Sequence, residues 1–168
     1  MKHSILIIFA LLTGMVLGQT PTSINVSENI TIELPGPMQD SRVMNDSMTM
    51  YMSLSDTVLS TVVIIESKDS LDPDSVITIL DADANVFRFV EAQGGTLTGH
   101  KRVKRGGYAF IDFSFTSDEL FYNASAVSRG MWAYVGKYVV VLQYSNVSTI
   151  DETLAEERFR FLDSLKVR

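Results

Sequence analysis

The chain has 168 residues, of which 46% are hydrophobic and 20% are charged, and its formal net charge at pH 7 is −6. An acidic protein is a poor match for nucleic acid or an anionic membrane surface, so the charge favours proteins, cations or neutral ligands as partners. The absence of cysteine excludes a disulfide-stapled module and a thiol nucleophile.

Residues 1–18 have the layout of a secretory signal peptide. Two basic residues, Lys2 and His3, precede an apolar stretch from Ile5 to Leu12. A Thr-Gly pair then interrupts the apolar run, which is shorter than the roughly 18 residues needed to span hydrocarbon. No cysteine lies near the cleavage point, so a lipoprotein anchor is not expected. We therefore predict a secreted or periplasmic protein that has no membrane span after signal cleavage. Cleavage removes Lys2, so the predicted mature chain has a net charge of −7.

The mature chain begins with a polar segment, residues 19–28, that we expect to be flexible. The alternating and β-branched sequence of Asn29–Leu34 predicts the first strand, and Pro35 ends it. Met48–Leu54 alternates again and is followed by the apolar run Thr61–Ile65. These two segments are predicted as neighbouring strands, the second more deeply buried.

The sequence period then changes from that of a strand to that of a helix. Asp72 is predicted to cap the helix, with Pro73 in its first turn. Gly94 and Gly95 end it. The inner face is predicted from apolar residues at helical spacing, namely Val76, Ile77, Leu80, Ala84, Phe87 and Val90. We expect this amphipathic helix to lie on a sheet.

Four further strands are predicted in the second half of the chain: Thr96–Val103, Tyr108–Phe115, Met131–Val135 and Tyr138–Tyr144. The glycine pair at positions 106 and 107 and the dipeptide at 136 and 137 supply turns, so the four strands form two hairpins.

Thr149 followed by Glu152 predicts a capping box at the start of the last helix. Its inner face is predicted from four apolar residues, Leu154, Phe159, Leu162 and Leu165. The order of elements predicts one α+β domain over residues 29–168. It consists of a mainly antiparallel sheet of about six strands with two amphipathic helices packed on it.

Residues 106–167 resemble the PsbP-like family. The resemblance rests on Gly106-Gly107-Tyr108 before an alternating strand, Arg129 leading into a strand, Gly136-Lys137-Tyr138, and the closing segment Arg158–Val167. It implies an α/β/α sandwich and no enzymatic activity. The photosystem subunit that gives the family its name assists a metal cluster by binding protein. No catalytic or metal-ligating residue of the family matches a position in this chain.

Three methionines, Met48, Met50 and Met52, alternate along one predicted strand, so their thioethers share a face. Thioether sulfur is a soft ligand that suits Cu(I), and an exported protein is a setting for copper handling. Methionine is also a common filler of hydrophobic cores. The pattern therefore leaves two interpretations open, a copper site and a buried packing face.

A basic run, made of Lys101, Arg102, Lys104 and Arg105, is the only local positive charge in this acidic chain. Charged residues often protect the outer strand of a sheet from pairing with other chains. The alternative is a docking patch for an acidic partner, formed by Arg102 and Lys104. Such a partner is expected to be another envelope or secreted protein.

No catalytic set is visible in the sequence. After signal cleavage His100 is the single histidine, no nucleophile elbow is present, and the paired glycines precede strands rather than a phosphate-binding helix. We therefore predict a non-enzymatic binding module without a cofactor, whose specific role is unknown. An enzyme with an unrecognised carboxylate site that uses Asp112, Asp118 or Glu119 is the remaining alternative.

Overall fold

The computed structural model describes residues 20–45, 47–70, 80–105 and 108–168. This part of the chain contains two α-helices, α1 (Leu80–Glu91) and α2 (Ala155–Leu162), and two short 3-10 turns at Ser148–Ile150 and Glu152–Leu154. It also contains ten strands: β1 (Thr22–Ser27), β2 (Ile30–Leu34), β3 (Asp40–Asn45), β4 (Met48–Leu54), β5 (Val58–Glu66), β6 (Gly95–Arg105), β7 (Tyr108–Phe121), β8 (Ala124–Val135), β9 (Tyr138–Val147) and β10 (Lys166–Val167).

The strands form two sheets. Seven of them make a large sheet in the order β3-β4-β5-β9-β8-β7-β6, and every neighbouring pair is antiparallel. The other three make a small antiparallel sheet in the order β1-β2-β10. The central strands β5 and β9 are rich in β-branched residues, which suits strands that are covered on both faces of the sheet.

Alternate residues of the large sheet enter two separate hydrophobic cores, one on each face. The small sheet and α2 cover one face, called here the α2 face, where Leu142 and Tyr144 contact Ile32 and Phe161. Helix α1 covers the other face, called the α1 face, where Val86 and Val90 pack with residues such as Phe113 and Trp132. The domain is therefore layered, with the large sheet in the middle.

The predicted fold class is confirmed, because the structure is an α+β domain with a mainly antiparallel sheet and two helices. The described residues form ten strands in two sheets rather than about six in one, because β1, β3 and β10 were not predicted and the predicted strand Asn29–Leu34 corresponds to β2 of the small sheet. The segment predicted to be flexible, residues 19–28, contains β1, whose Ile24 is buried in the core on the α2 face. No helix of the described residues is long and apolar enough to cross a membrane.

The predicted inner face of the first helix is partly wrong. Its predicted start at Asp72 and Pro73 and its first apolar residues lie outside the described residues, as do the turn glycines 106 and 107. In α1 the buried side chains are Ala82, Val86 and Val90, whereas Phe87 is half exposed. Phe87 instead contacts the ring of His100 on β6, at the margin of the helix, so the buried stripe is rotated relative to the predicted one.

The predicted capping box of the last helix is also wrong. Residues 148–154 form the two 3-10 turns, and α2 begins at Ala155 without a side-chain cap. The later start changes the buried face. Phe161 and Leu165 are buried, and Phe161 packs against the ring of Tyr144, whereas Phe159 is 70% exposed.

Candidate functional site

Strand β6 is an outer strand of the large sheet, paired with β7 along one side only. In the described part of the chain no strand covers its other side. Eleven residues long, β6 therefore presents a row of backbone N–H and C=O groups to solvent or to a partner segment. The outer strand at the opposite end of the sheet, β3, is shorter, with six residues.

The basic side chains of β6 are divided between the two faces of the sheet. Lys101 and Arg105 extend from the α2 face, and Arg102 and Lys104 from the α1 face, because Arg102 lies opposite the buried Ile111 of that face. The pleat thus places Arg102 and Lys104 side by side, as the strand spacing predicts. All four side chains are exposed.

Arg102 already has a carboxylate partner within the chain. Its Nε donates to Asp83 Oδ1 at 3.2 Å, and its Nη2 donates to Asp83 Oδ2, which makes a two-pronged contact between β6 and α1. The hydrogen bond from Arg102 holds the pKa of the Asp83 carboxyl below its usual value, and desolvation opposes the shift. Arg102 therefore has a structural role that its position in a basic run did not reveal.

Arg105 is paired as well, with the carboxylate of Asp163, and its guanidinium lies 5.6 Å from the centre of the Phe110 ring. The hydrogen bond to Asp163 raises the pKa of the Arg105 guanidinium. These two ion pairs neutralise part of the positive charge of β6, although both stay in contact with water and are screened by it.

Asp112 lies opposite Lys101 on β7. Desolvation raises the pKa of the Asp112 carboxyl, while the positive charges of Lys101, Arg129 and Arg105 oppose the shift. Desolvation of the Asp112 carboxylate therefore outweighs the effect of the three nearby cations, so this carboxyl group favours its neutral form more than a free aspartate does.

The three carboxylates of the alternative enzyme hypothesis do not converge. Asp112 and Asp118 are six residues apart on one strand, about 20 Å at the rise of an extended chain. Paired catalytic carboxylates are about 5–10 Å apart. Asp118 accepts a hydrogen bond from Ser125 Oγ at 2.5 Å, and the carboxyl group of Glu119 lies against Gly94. Asp112 is therefore too far along the strand to share a reaction centre with Asp118 or Glu119.

Met48, Met50 and Met52 share a face of β4, as predicted, and this is the α1 face. Met48 and Met50 are half buried and pack against the core there. Among the described residues no group of three or more His, Asp or Glu side chains could hold a metal ion. The contacts of Met48 and Met50 suit the packing interpretation, and binding of Cu(I) by the three thioethers stays a prediction.

Sequence reasoning missed a group of residues that the fold brings together under α1. Asn85, Arg88 and Phe89 follow one another at helical spacing and face Trp132 and Tyr134 of β8. The spacing of three and four residues could have placed Asn85, Arg88 and Phe89 on one helix face. Nothing in the sequence shows which strand that face meets.

No family model matches this chain, and no curated protein does. Among solved structures it is similar to cyanobacterial PsbP (CyanoP) from Synechocystis, with a TM-score of 0.60 and 12% identity, over 90% of this chain and 95% of that one. A protein of unknown function from Pseudomonas aeruginosa matches with a TM-score of 0.50 and 14% identity, over 88% and 97% of the two chains. These likenesses show that the fold is PsbP-like, and at such identities they show the fold alone.

Proposed function

We propose that this protein is an exported, non-enzymatic binding module that docks an acidic segment of another envelope or secreted protein along β6. The observation that carries the proposal is the eleven-residue outer strand with basic side chains on both faces, in a chain whose net charge is −6. The export part rests on the signal-peptide layout of residues 1–18, which lie outside the described residues. The non-enzymatic part rests on carboxylates that do not converge.

An extended partner segment can add to β6 as a further strand of the sheet. Its backbone would hydrogen-bond to the outer side of β6, while its alternate side chains would meet those of β6 on each face. Carboxylates of the partner would then lie beside Lys101 and Arg105 on the α2 face and beside Arg102 and Lys104 on the α1 face. Opposite charges on neighbouring strands favour this pairing, and acidic segments would be selected over basic ones.

The ion pairs within the chain do not block this mode of binding. Asp83 and Asp163 contact Arg102 and Arg105 from the domain side, and both pairs are partly exposed. Exposed pairs contribute little to stability because water screens them. The pair with Asp83 uses two of the five N–H donors of the Arg102 guanidinium.

The test is to reverse the charge of β6 and measure partner capture. The double variant Lys101→Glu, Lys104→Glu leaves the pair of Arg102 and Asp83 intact, so it keeps the tether of α1. A matched control, Lys68→Glu with Arg160→Glu, makes the same change in net charge away from β6. Each protein is cross-linked to the proteins of the cell envelope and culture medium of its source, and the captured proteins are quantified by mass spectrometry.

We expect an acidic partner that the wild type and the control capture and the β6 variant loses. Its capture should decline between about 0.05 and 0.5 M salt, because added ions screen exposed charges. Backbone amides of β6 should also exchange hydrogen more slowly when the purified partner is bound. The proposal would be contradicted if the β6 variant captured the same proteins as the wild type, or if capture did not depend on salt.

A further inference from the structure

A pocket of about 400 Å³ lies between α1 and the α1 face of the large sheet. This volume falls within the range of about 300–1,000 Å³ that small-molecule sites occupy. The pocket is open to solvent, and no residue of β6 lines it. Helix α1 and strands β5, β8 and β9 supply its lining, which consists of Ile65, Asn85, Arg88, Phe89, Trp132, Tyr134 and Val139.

The aromatic part of the lining is held in place by its neighbours. Phe89 meets Trp132 edge-on with 5.7 Å between the ring centres, and meets Phe113 in the same way at 5.9 Å. Trp132 and Tyr134 are only 8% and 6% exposed, so their rings have little freedom to move. Edge-to-face contacts of this kind stabilise a fixed arrangement of rings. The pocket therefore offers a preformed apolar surface to a flat group.

Two polar groups of the lining, the indole of Trp132 and the guanidinium of Arg88, can only donate hydrogen bonds. The Nε1–H of Trp132 is buried and, although the Tyr134 hydroxyl lies close to it, makes no hydrogen bond of ordinary geometry within the described part of the chain. An unsatisfied buried donor is costly, so a native structure that keeps one calls for an explanation. The exposed guanidinium of Arg88 adds a positive charge, and neither an indole nor a guanidinium can accept a hydrogen bond. Burial raises the pKa of the Tyr134 phenol, while the nearby side chains of Trp132 and Asn85 oppose the shift.

We propose that this pocket binds a small aromatic carboxylate. The ring lies against Phe89, Trp132 and Tyr134, and the carboxylate accepts hydrogen bonds from the indole N–H and from Arg88. These two groups can only donate, so they favour a ligand group that accepts hydrogen bonds, and the guanidinium favours a negative charge. The inference goes beyond docking at β6, since it concerns a different surface and a different class of ligand.

Trp132 is the only tryptophan in the chain, so its fluorescence reports directly on the wall of this pocket. The full protein is titrated with 3-phenylpropionate and, separately, with the neutral 3-phenylpropanol of the same shape. We expect a saturable change of emission for the acid, with a dissociation constant below about 1 mM for a ligand of this size. The alcohol should bind at least about tenfold more weakly, because it lacks the charge that Arg88 attracts.

The variant Arg88→Gln should weaken binding of the acid at least about tenfold and bring it close to that of the alcohol. Arg88 is exposed, so its replacement is not expected to unfold the protein. Arg160→Gln is the matched control, because Arg160 is exposed on α2, which packs on the other face of the sheet. In calorimetry, Trp132→Phe should also weaken binding of the acid, since it keeps an aromatic ring and removes the N–H.

The proposal is overturned if 3-phenylpropionate gives no saturable change up to about 10 mM, well above the expected dissociation constant. Equal binding of acid and alcohol, or equal binding to the wild type and Arg88→Gln, overturns it as well. Failure of this proposal can be distinguished from failure of the proposed docking at β6, because each proposal has its own variant. The Lys101→Glu, Lys104→Glu variant should bind 3-phenylpropionate normally, and Arg88→Gln should capture the acidic partner normally.

Discussion

Gly130 of β8 occupies a position where any side chain would collide with the core of the α1 face. It lies directly opposite Phe113 of β7, and a Cβ placed on it would be 2.2 Å from Cζ of the Phe113 ring. That ring is 2% exposed and is confined by Phe115, stacked at 6.2 Å, and by Phe89, edge-on at 5.9 Å. We predict that Gly130→Ala destabilises the fold.

The expected magnitude follows from that contact. Ordinary van der Waals contact of a Cβ begins at 3.4 Å, so the packed ring must retreat by more than 1 Å. Added methyl groups in a close-packed core typically cost about 1–3 kcal/mol, and alanine recovers about 0.5–1 kcal/mol of backbone entropy relative to glycine. Together these contributions give a loss of about 0–2.5 kcal/mol in the free energy of unfolding, and the short distance of 2.2 Å to the Phe113 ring favours the upper half of this range. This is a large share of the total stability of a domain.

The assay is urea unfolding followed by the fluorescence of the single tryptophan. Gly99→Ala on β6 is the matched control, because its Cβ would meet only the Ser114 hydroxyl at 3.2 Å and this hydroxyl can turn away. The control should change the free energy of unfolding by less than about 0.5 kcal/mol. In a Phe113→Leu background, Gly130→Ala should cost at least about 1 kcal/mol less than in the wild type. An equal loss in both backgrounds, or a loss no larger than that of the control, would refute the reasoning.

Two further predictions concern polar groups. Asp112→Asn should raise the free energy of unfolding near pH 7 and leave it unchanged near about pH 3. The pKa of Asp112 is higher in the folded than in the unfolded protein. The wild type therefore loses stability as the pH rises through the unfolded-state pKa and then the folded-state pKa, whereas the asparagine variant does not. Urea unfolding at both pH values checks this, and a gain of equal size at both would contradict it. Tyr144→Phe should cost about 1–2 kcal/mol, because the buried hydroxyl donates to Glu157 Oε1 at 3.0 Å. The exposed Tyr122→Phe serves as the control in the same assay, and an equal effect of the two variants would count against the role of this hydrogen bond.

Strongly buried strands are the easiest to locate from the sequence. In β7 and in β5, burial follows the apolar pattern closely, so the pattern alone locates them. β1 and β3 escape detection because few of their side chains are buried and neither has a clear apolar alternation. Only Ile24 of β1 is fully buried, and Val43 of β3 is 77% exposed. Backbone hydrogen bonds to the neighbouring strand stabilise β1 and β3, and the periodicity of the sequence does not reveal these hydrogen bonds.

In the candidate sites as well, features formed by adjacent residues are visible in the sequence, whereas features that depend on tertiary contacts are not. The basic run of β6 is visible in the sequence because its members are adjacent, and the pleat then divides them between two faces. Its carboxylate partners are not visible, since Asp83 is 19 residues from Arg102 and Asp163 is 58 residues from Arg105. The ligand pocket depends even more on tertiary contacts, because residues of one helix and three strands meet only in the folded chain. Sequence alone could predict the chemistry of these side chains but not what they contact.

Helix α1 contacts both proposed sites, so binding of a partner at β6 could change the affinity of the pocket for its ligand. Asp83 ties the helix to Arg102 of β6, while Asn85 and Arg88 face the pocket. A partner that drew Arg102 away from Asp83 would remove one tether of the helix. That tether is a partly exposed ion pair, whereas Val86 and Val90 hold the same helix by buried apolar contacts. Because the buried contacts outweigh the exposed pair, occupancy of β6 should change affinity in the pocket by no more than a few-fold, and the two sites should bind nearly independently.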